Sequence, residues 1–395
     1  MAINFLSESV RSAGCDSFAD ALLTLEGPEG DEALANLAFV GPAAGSCWGT
    51  EKKMDALFFE LSDADVAAFV DAMMLPYRPG GVQGNQMLRN LVIRSQPVSD
   101  GAVVALCALL DDESSVLESL DLQGCEISGD GCKGLCKSLN ANTTVTSLNV
   151  SWNPLGRKGG LALASLLERN VTIQRLTLAN TSLDTQAVVA LYSVLREQTT
   201  LREVDLCKAV LFSRQEDSTK HAVAMLGQNA SIEYLDIGTS QLADLGASLL
   251  AKTLRTNTTL RCLHLRSNQI GIVGGEALAS MLMQGSALVE LNLSGNRLSD
   301  DGAHAMGTAL ANNTTLRLLD LSMNSINDEG LASIAAGMGE NSTLTTLKLW
   351  GNHFSSGSDA VNAFDGLLRT RFDALGVEVD FTTYTVDGTT MIARV

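Results

Sequence analysis

The chain has 395 residues, with 46% apolar but only 5% aromatic content. That points to a core of matched aliphatic layers rather than large aromatic clusters. Its 27 basic and 45 acidic residues leave a formal charge of −18. Without a dense Lys/Arg cluster, nucleic acid is excluded as an expected partner, and an acidic surface of this kind favours solubility and the steering of basic partners.

The first residues, MAINFLSESVRSAG, lack the basic-then-apolar order of a signal peptide. The longest apolar runs, such as Ala102–Leu110, are too short to cross a bilayer, so no membrane partner is expected. Eight scattered cysteines without a C-x-x-C pair suit a reducing, cytoplasmic setting. The patterning predicts helices over Ser17–Leu25, Asp31–Val40 and Met54–Met74, separated by loops rich in Gly and Pro at 41–46 and 76–81. Residues 1–87 then read as a mostly helical N-terminal cap, with a degenerate first repeat at about 54–87.

From Leu88 the chain repeats. The pattern L-x-x-L-x-L-x-x-N restarts at Leu88, Leu117, Val145, Ile173, Leu201, Ile232, Leu260, Leu288, Leu316 and Leu344, at intervals of 28 residues broken only by one of 29 and one of 31. So steady a phase defines repeats. In the unit that starts at Leu288, Leu291 and Leu293 alternate at strand period, whereas Ala303, Met306 and Leu310 share a helical stripe. Ser299 or Asp300 is a candidate helix cap. The recurring Asn-x-Thr triplets, as at Asn142 and Asn257, are expected to end helices in the left-handed conformation that Asn tolerates. No single unit can bury both its strand and its helix stripe, but stacked units can.

The expected fold is therefore α/β: a leucine-rich-repeat solenoid curved like a horseshoe. Its parallel β-sheet lies on the concave face and its α-helices on the convex face. Ten repeats span 88–371, and residues 372–395 form a C-terminal β-hairpin cap, with strands at Phe372–Tyr384 and Thr389–Val395 around the turn Val386-Asp387-Gly388. The ninth position holds Asn in the last four units, at Asn268, Asn296, Asn324 and Asn352, and in one earlier unit, at Asn153. Ala209 stands there in the unit that also carries the three-residue insertion near Phe212–Lys220.

No catalytic constellation is present: no phosphate loop, no nucleophile elbow, four histidines dispersed over different regions, and no Cys/His spacing for a metal. The expectation is a non-enzyme with no cofactor, no metal and no small-molecule substrate. It would bind one or more proteins through the outward strand positions of the concave face. The candidate binding residues are Asp121, Arg175, Glu203, Asp205, Tyr234, Asp236, His264, Arg266, Asp320, Lys348 and Trp350. Asp121, Asp205, Asp236 and Asp320 share one register, interrupted by Arg175, His264, Arg266 and Lys348. Tyr234 and Trp350 supply aromatic surface.

Units such as Leu316–Gly330 resemble the ribonuclease-inhibitor class of leucine-rich repeats, which includes inhibitors, sensor arms of NACHT receptors and the Ran GTPase-activating protein. The run Leu349-Trp350-Gly351-Asn352, with Asp380-Phe381 and Tyr384-Thr385-Val386-Asp387-Gly388, is similar to the ciliary group that includes leucine-rich repeat-containing protein 34. The second resemblance implies a structural or assembly part of the ciliary axoneme. The first leaves open an activator of a Ran-like small GTPase, or an inhibitor or sensor wrapping a soluble protein target.

Overall fold

A computed structural model describes residues 36–40, 61–74, 86–209 and 215–395. The expected helix Ser17–Leu25, both expected loops and part of the insertion lie outside these residues. The chain divides into two compact units, Met1–Val204 and Asp205–Val395.

In the first unit, strands Asn36–Val40 (β1), Asn90–Arg94 (β2), Ser119–Asp121 (β3), Ser147–Asn149 (β4) and Arg175–Thr177 (β5) each pair in parallel with the next. Helices Asp63–Met74 (α1), Asp100–Asp111 (α2), Gly129–Leu139 (α3), Gly156–Leu167 (α4) and Thr185–Leu195 (α5) alternate with them and pack in sequence. β1 corrects the helix expected over Asp31–Val40. Leu37 pairs with Leu91 and is buried, so sheet pairing overrides the local helical pattern.

Strand Glu203–Asp205 (β6) carries the boundary between the units. In the second unit, helix Gln215–Gln228 (α6) takes up the rest of the insertion. Strands Tyr234–Asp236 (β7), Cys262–His264 (β8), Glu290–Asn292 (β9), Leu318–Asp320 (β10), Thr346–Lys348 (β11) and Glu378–Val379 (β12) again pair in parallel, each with the next. They alternate with helices Ala243–Leu254 (α7), Ile272–Gln284 (α8), Ser299–Asn312 (α9), Asp328–Glu340 (α10) and Asp359–Leu367 (α11). Leu235, Leu263, Leu291, Leu319 and Leu347 occupy the centre of successive strands and are buried under the helices. Among the described residues, no helix packs on the opposite sheet face. This repeated strand-and-helix architecture is the leucine-rich-repeat solenoid fold.

Three sets of hydrogen bonds between side chains and the backbone hold the layers in register. The ninth-position asparagines form the expected ladder. The Asn324 amide donates to Leu293 O at 2.9 Å and Leu321 O at 3.1 Å, and its own N–H reaches Asn352 Oδ1 at 2.8 Å. The Asn-x-Thr triplets form a second ladder. The Asn341 amide donates to Leu310 O in the preceding unit at 2.7 Å, while its Oδ1 accepts from the Leu344 N–H at 2.8 Å. The expected left-handed helix stop is thereby corrected. Asn313 and Asn341 have φ of −82° and −75° and act through their side chains. Gln198 holds the same position and does the same work, donating to Leu167 O and accepting from the Thr200 N–H.

A third set joins helix starts. Asp300 does not cap its own helix; its Oδ1 accepts from the N–H groups of Asn327 and Gly330 at the start of α10. Asp244 does the same for Gly271 and Gly274 at the start of α8. Each carboxylate sits at the positive end of the following helix.

The C-terminal segment departs from the expected pair of strands. A π-helical turn at Leu368–Phe372 and a short helix at Asp373–Leu375 (α12) replace strand from 372 onward. The reason is packing: the Phe372 ring meets Phe364 edge-on at 5.5 Å, and Phe381 stacks obliquely on Phe364 at 5.1 Å. Left-handed Gly376 then ends the helix. The sheet edge is covered by β12 rather than by the hairpin Phe381–Val386 (β13) and Thr389–Arg394 (β14), which packs on α11.

Candidate functional site

The helix-free sheet face of the second unit concentrates the polar chemistry. The 28-residue register sets Asp236 beside His264 and Tyr234 beside Cys262 on adjacent strands. Side chains on that face therefore meet across the sheet. Five of the residues expected from sequence come together here: Asp205, Tyr234, Asp236, His264 and Arg266. Cys207 and Glu290 join them.

Asp236 is the hub and is only 1% exposed. Its Oδ1 accepts from the Gly238 N–H at 2.8 Å, and its Oδ2 takes Arg266 Nη1 at 3.0 Å and faces His264 Nδ1 at 3.5 Å. The His264 Nε2 lies 2.7 Å from Glu290 Oε1, and the Tyr234 hydroxyl lies 3.1 Å from His264 Nδ1. The Tyr234 and His264 rings meet edge-on at 5.0 Å. Arg266 Nη2 reaches Cys207 Sγ at 3.0 Å. Gly238 makes this reach possible. A Cβ there would lie 2.7 Å from Arg266 Cγ, so only glycine lets the arginine stem lie across this strand.

These contacts set the charges. Burial works against a charged imidazole, but Asp236 and Glu290 outweigh it and hold His264 at a pKa of about 9. The bond from His264 holds the Glu290 carboxyl below its ordinary range. Burial, reinforced by Asp236, pushes the Cys207 thiol and the Tyr234 phenol up, so both stay protonated. Asp205 is different. Burial and the facing Asp236 push its carboxyl up to about 6, against the opposing pull of the Cys207 N–H, Arg266 and His264. The carboxylates of Asp205 and Asp236 and the sulfur of Cys207 lie within 4.8 Å of one another. The Arg266 guanidinium already sits on Cys207 and Asp236, so the group is built around an arginine.

The remaining expected residues are not brought into this cluster. Asp121 lies in the first unit and is tied down by Arg94 (Nη2 at 2.6 Å) and the Asn149 amide (3.0 Å). Arg175 and Glu203 are exposed on strands of that unit. Asp320 is buried and accepts from the Ser322 N–H at 3.0 Å. Lys348 is exposed, and Trp350 remains 36% exposed. The shared aspartate register has a local cause. Asp121, Asp205, Asp236 and Asp320 each accept from the N–H two residues on, at 3.1, 2.8, 2.8 and 3.0 Å, closing the turn that leaves the strand. Cys207, Glu290 and Gly238 were visible in the sequence only as outward positions. Nothing local marked them, because their role depends on neighbours 26 to 59 residues away.

The leucine-rich repeat profile matches residues 113–136, 141–164, 256–279, 287–307 and 312–335. Over 82 residues the chain is 34% identical to human NACHT, LRR and PYD domains-containing protein 5, covering 21% of this chain and 7% of that protein. Over 80 residues it is 35% identical to pig ribonuclease inhibitor, covering 20% of this chain and 18% of the inhibitor. The matched segments thus span less than a fifth of each of these relatives. Among solved structures, the yeast Rad7 and Elc1 complex is similar at a TM-score of 0.43 and 15% identity, covering 75% of this chain and 81% of that one. The tropomodulin C-terminal domain of Caenorhabditis elegans is similar at 0.32 and 19%, covering 39% and 92%. The chain is built from leucine-rich repeats, and it shares stretches of modest identity with ribonuclease inhibitors and with NACHT, LRR and PYD domains-containing proteins.

Proposed function

We propose that this chain is a non-enzymatic scaffold that docks other proteins on the helix-free face of its sheet. The observation that carries this reading is the platform in the second unit. There buried Asp236 holds Arg266, His264 lies between Asp236 and Glu290, Tyr234 bonds to His264, and Lys348 and Trp350 stand exposed on β11 and just beyond it. Tyr, Trp and Arg anchors dominate binding energy at protein interfaces, and anchors already locked in place lose little entropy on docking. Repeat proteins exchange partners by changing such outward residues over a constant core.

The setting we favour is a ciliary axoneme, supported by the resemblance of Leu349–Asn352 and Asp380–Gly388 to ciliary repeat proteins. The test is cross-linking mass spectrometry on detergent-soluble and cytoskeletal fractions, comparing the natural chain with a Lys348→Glu, Trp350→Ala variant. Lys348 is exposed and Trp350 partly so, so the variant should still melt cooperatively, while partner recovery should fall at least tenfold. Undiminished recovery by the variant would remove this face from the docking reading. Recovery only from the soluble fraction would remove the axonemal setting. Cross-links to a small GTPase there, with faster GTP hydrolysis on addition of the chain, would favour the activator instead.

A further inference from the structure

Across the cluster, three carboxylates (Asp205, Asp236 and Glu290) face two cationic side chains (His264 and Arg266). The cations are fully committed. His264 is directed at Asp236 and Glu290 through its two nitrogens, and Arg266 is held by Asp236 and Cys207. Asp236 is supplied by Arg266, His264 and the Gly238 N–H, and Glu290 by His264. Asp205 receives one backbone N–H, from Cys207, feels Arg266 and His264 only through space, and has the buried carboxylate of Asp236 less than 5 Å away. Two carboxylates this close, only one of them matched by cations, are held together most cheaply by a proton.

We propose that Asp205 and Asp236 form a proton-binding pair, with Asp205 the member that takes up and releases the proton, so that the sheet face changes by one charge under mild acidification. The groups acting on Asp205 are Asp236, the Cys207 backbone N–H, Arg266 and His264; Glu290 bears on the cluster through His264, and the Cys207 thiol and Tyr234 phenol face the same carboxylates. The sensor is the aspartate and not the histidine. His264 lies between two carboxylates and keeps its charge to about pH 9, whereas the exchange on Asp205 is centred near pH 6. Counting the five charged groups, the cluster carries −1 at neutral pH and 0 once Asp205 is protonated. A cationic surface docked on this face would then be held less tightly in a slightly acidic environment; that consequence alone rests on the docking function proposed above.

The test is an NMR titration of the full chain carrying 13C-carboxyl-labelled aspartate, from pH 4 to 8. The expected result is one aspartate with a midpoint near 6, about two pH units above the ordinary value, and loss of that resonance in Asp205→Asn. His264→Gln should move the midpoint higher by removing a nearby cation, and Asp236→Asn should lower it by a unit or more. Should Asp236→Asn fail to fold, the natural chain and the other two variants decide the matter. Titration of every aspartate below pH 5, or persistence of the high midpoint in Asp205→Asn, would overturn the proposal. Such a failure would leave the docking reading intact, because docking is read by partner recovery and the proton pair by the titration of the natural chain.

Discussion

Asn324 shows how much one side chain can carry. It is fully buried, and its amide donates to Leu293 O, Leu321 O and Ser322 O. Alanine there would strand several buried carbonyls, each costing about 1–3 kcal/mol when unpaired. Asn324→Ala should therefore lose about 2–4 kcal/mol in denaturant unfolding, with little change in the slope. Asp205 works in the opposite sense. Its folded pKa of about 6 lies above the ordinary 3.8, so the folded state binds the proton more tightly than the unfolded chain. Its stabilising contribution is complete below about pH 3.8 and is lost as pH rises through 6. At neutral pH the ionised carboxylate thus opposes folding by up to about 3 kcal/mol. Asp205→Asn keeps an acceptor for the Cys207 N–H. It should flatten the fall in stability between pH 4 and 6 and raise stability at pH 7 by about 1–3 kcal/mol. Unfolding curves for both proteins across that range check the sign. The ninth-position ladder was legible residue by residue, because Asn recurs at one spacing. The role of Gly238 was not, since a missing Cβ matters only where Arg266 crosses it.

At the level of elements, each repeat must turn sharply as it leaves its strand. The eighth residue of the motif is left-handed in all ten units, from Ser95 (φ 53°) to Gly351 (φ 82°). Only Gly124, Gly295 and Gly351 are glycines there, and Trp152 and Met323 accept the same conformation at φ 61° and 55°. That conformation costs an L-residue of the order of 1–2 kcal/mol. It is retained because it aims the N–H at the next unit: Met323 N donates to Trp350 O at 3.0 Å, and Trp152 N to Ala179 O at 2.8 Å. No glycine signal announced this turn in the sequence, because the neighbouring layer supplies the bond that enforces it. The last repeat has no following unit, and Asp380 stands in for one by accepting the N–H groups of Leu349 at 2.7 Å and Trp350 at 2.9 Å. Asp380→Ala should cost about 1.5–3 kcal/mol. It should also speed amide exchange at Leu349 and Trp350 at least tenfold; exchange as slow as in the natural chain would show that β12 alone closes the edge.

For the whole molecule, repeats that touch only their neighbours give stability that is summed along the chain. A lesion in one layer should then stay local. Hydrogen exchange on Asn324→Ala should show lost protection across β9, β10 and β11, while β3 and β4 keep theirs. Equal loss everywhere would mean that all the layers unfold as one. The sequence by itself determined the repeat length, the strand and helix of each unit, the leucine layers and the ninth-position ladder. All of these follow from periodic side chains meeting their own copies 28 residues on. Only the tertiary structure decided what breaks the period. β1 became a strand because β2 offers it partners, and Phe372 became helical because its ring packs edge-on against Phe364. Asp205, Asp236, His264, Arg266 and Glu290 became one cluster because stacking brings side chains of four repeats within reach of each other, and electrostatic energy depends on that distance and burial rather than on order along the chain.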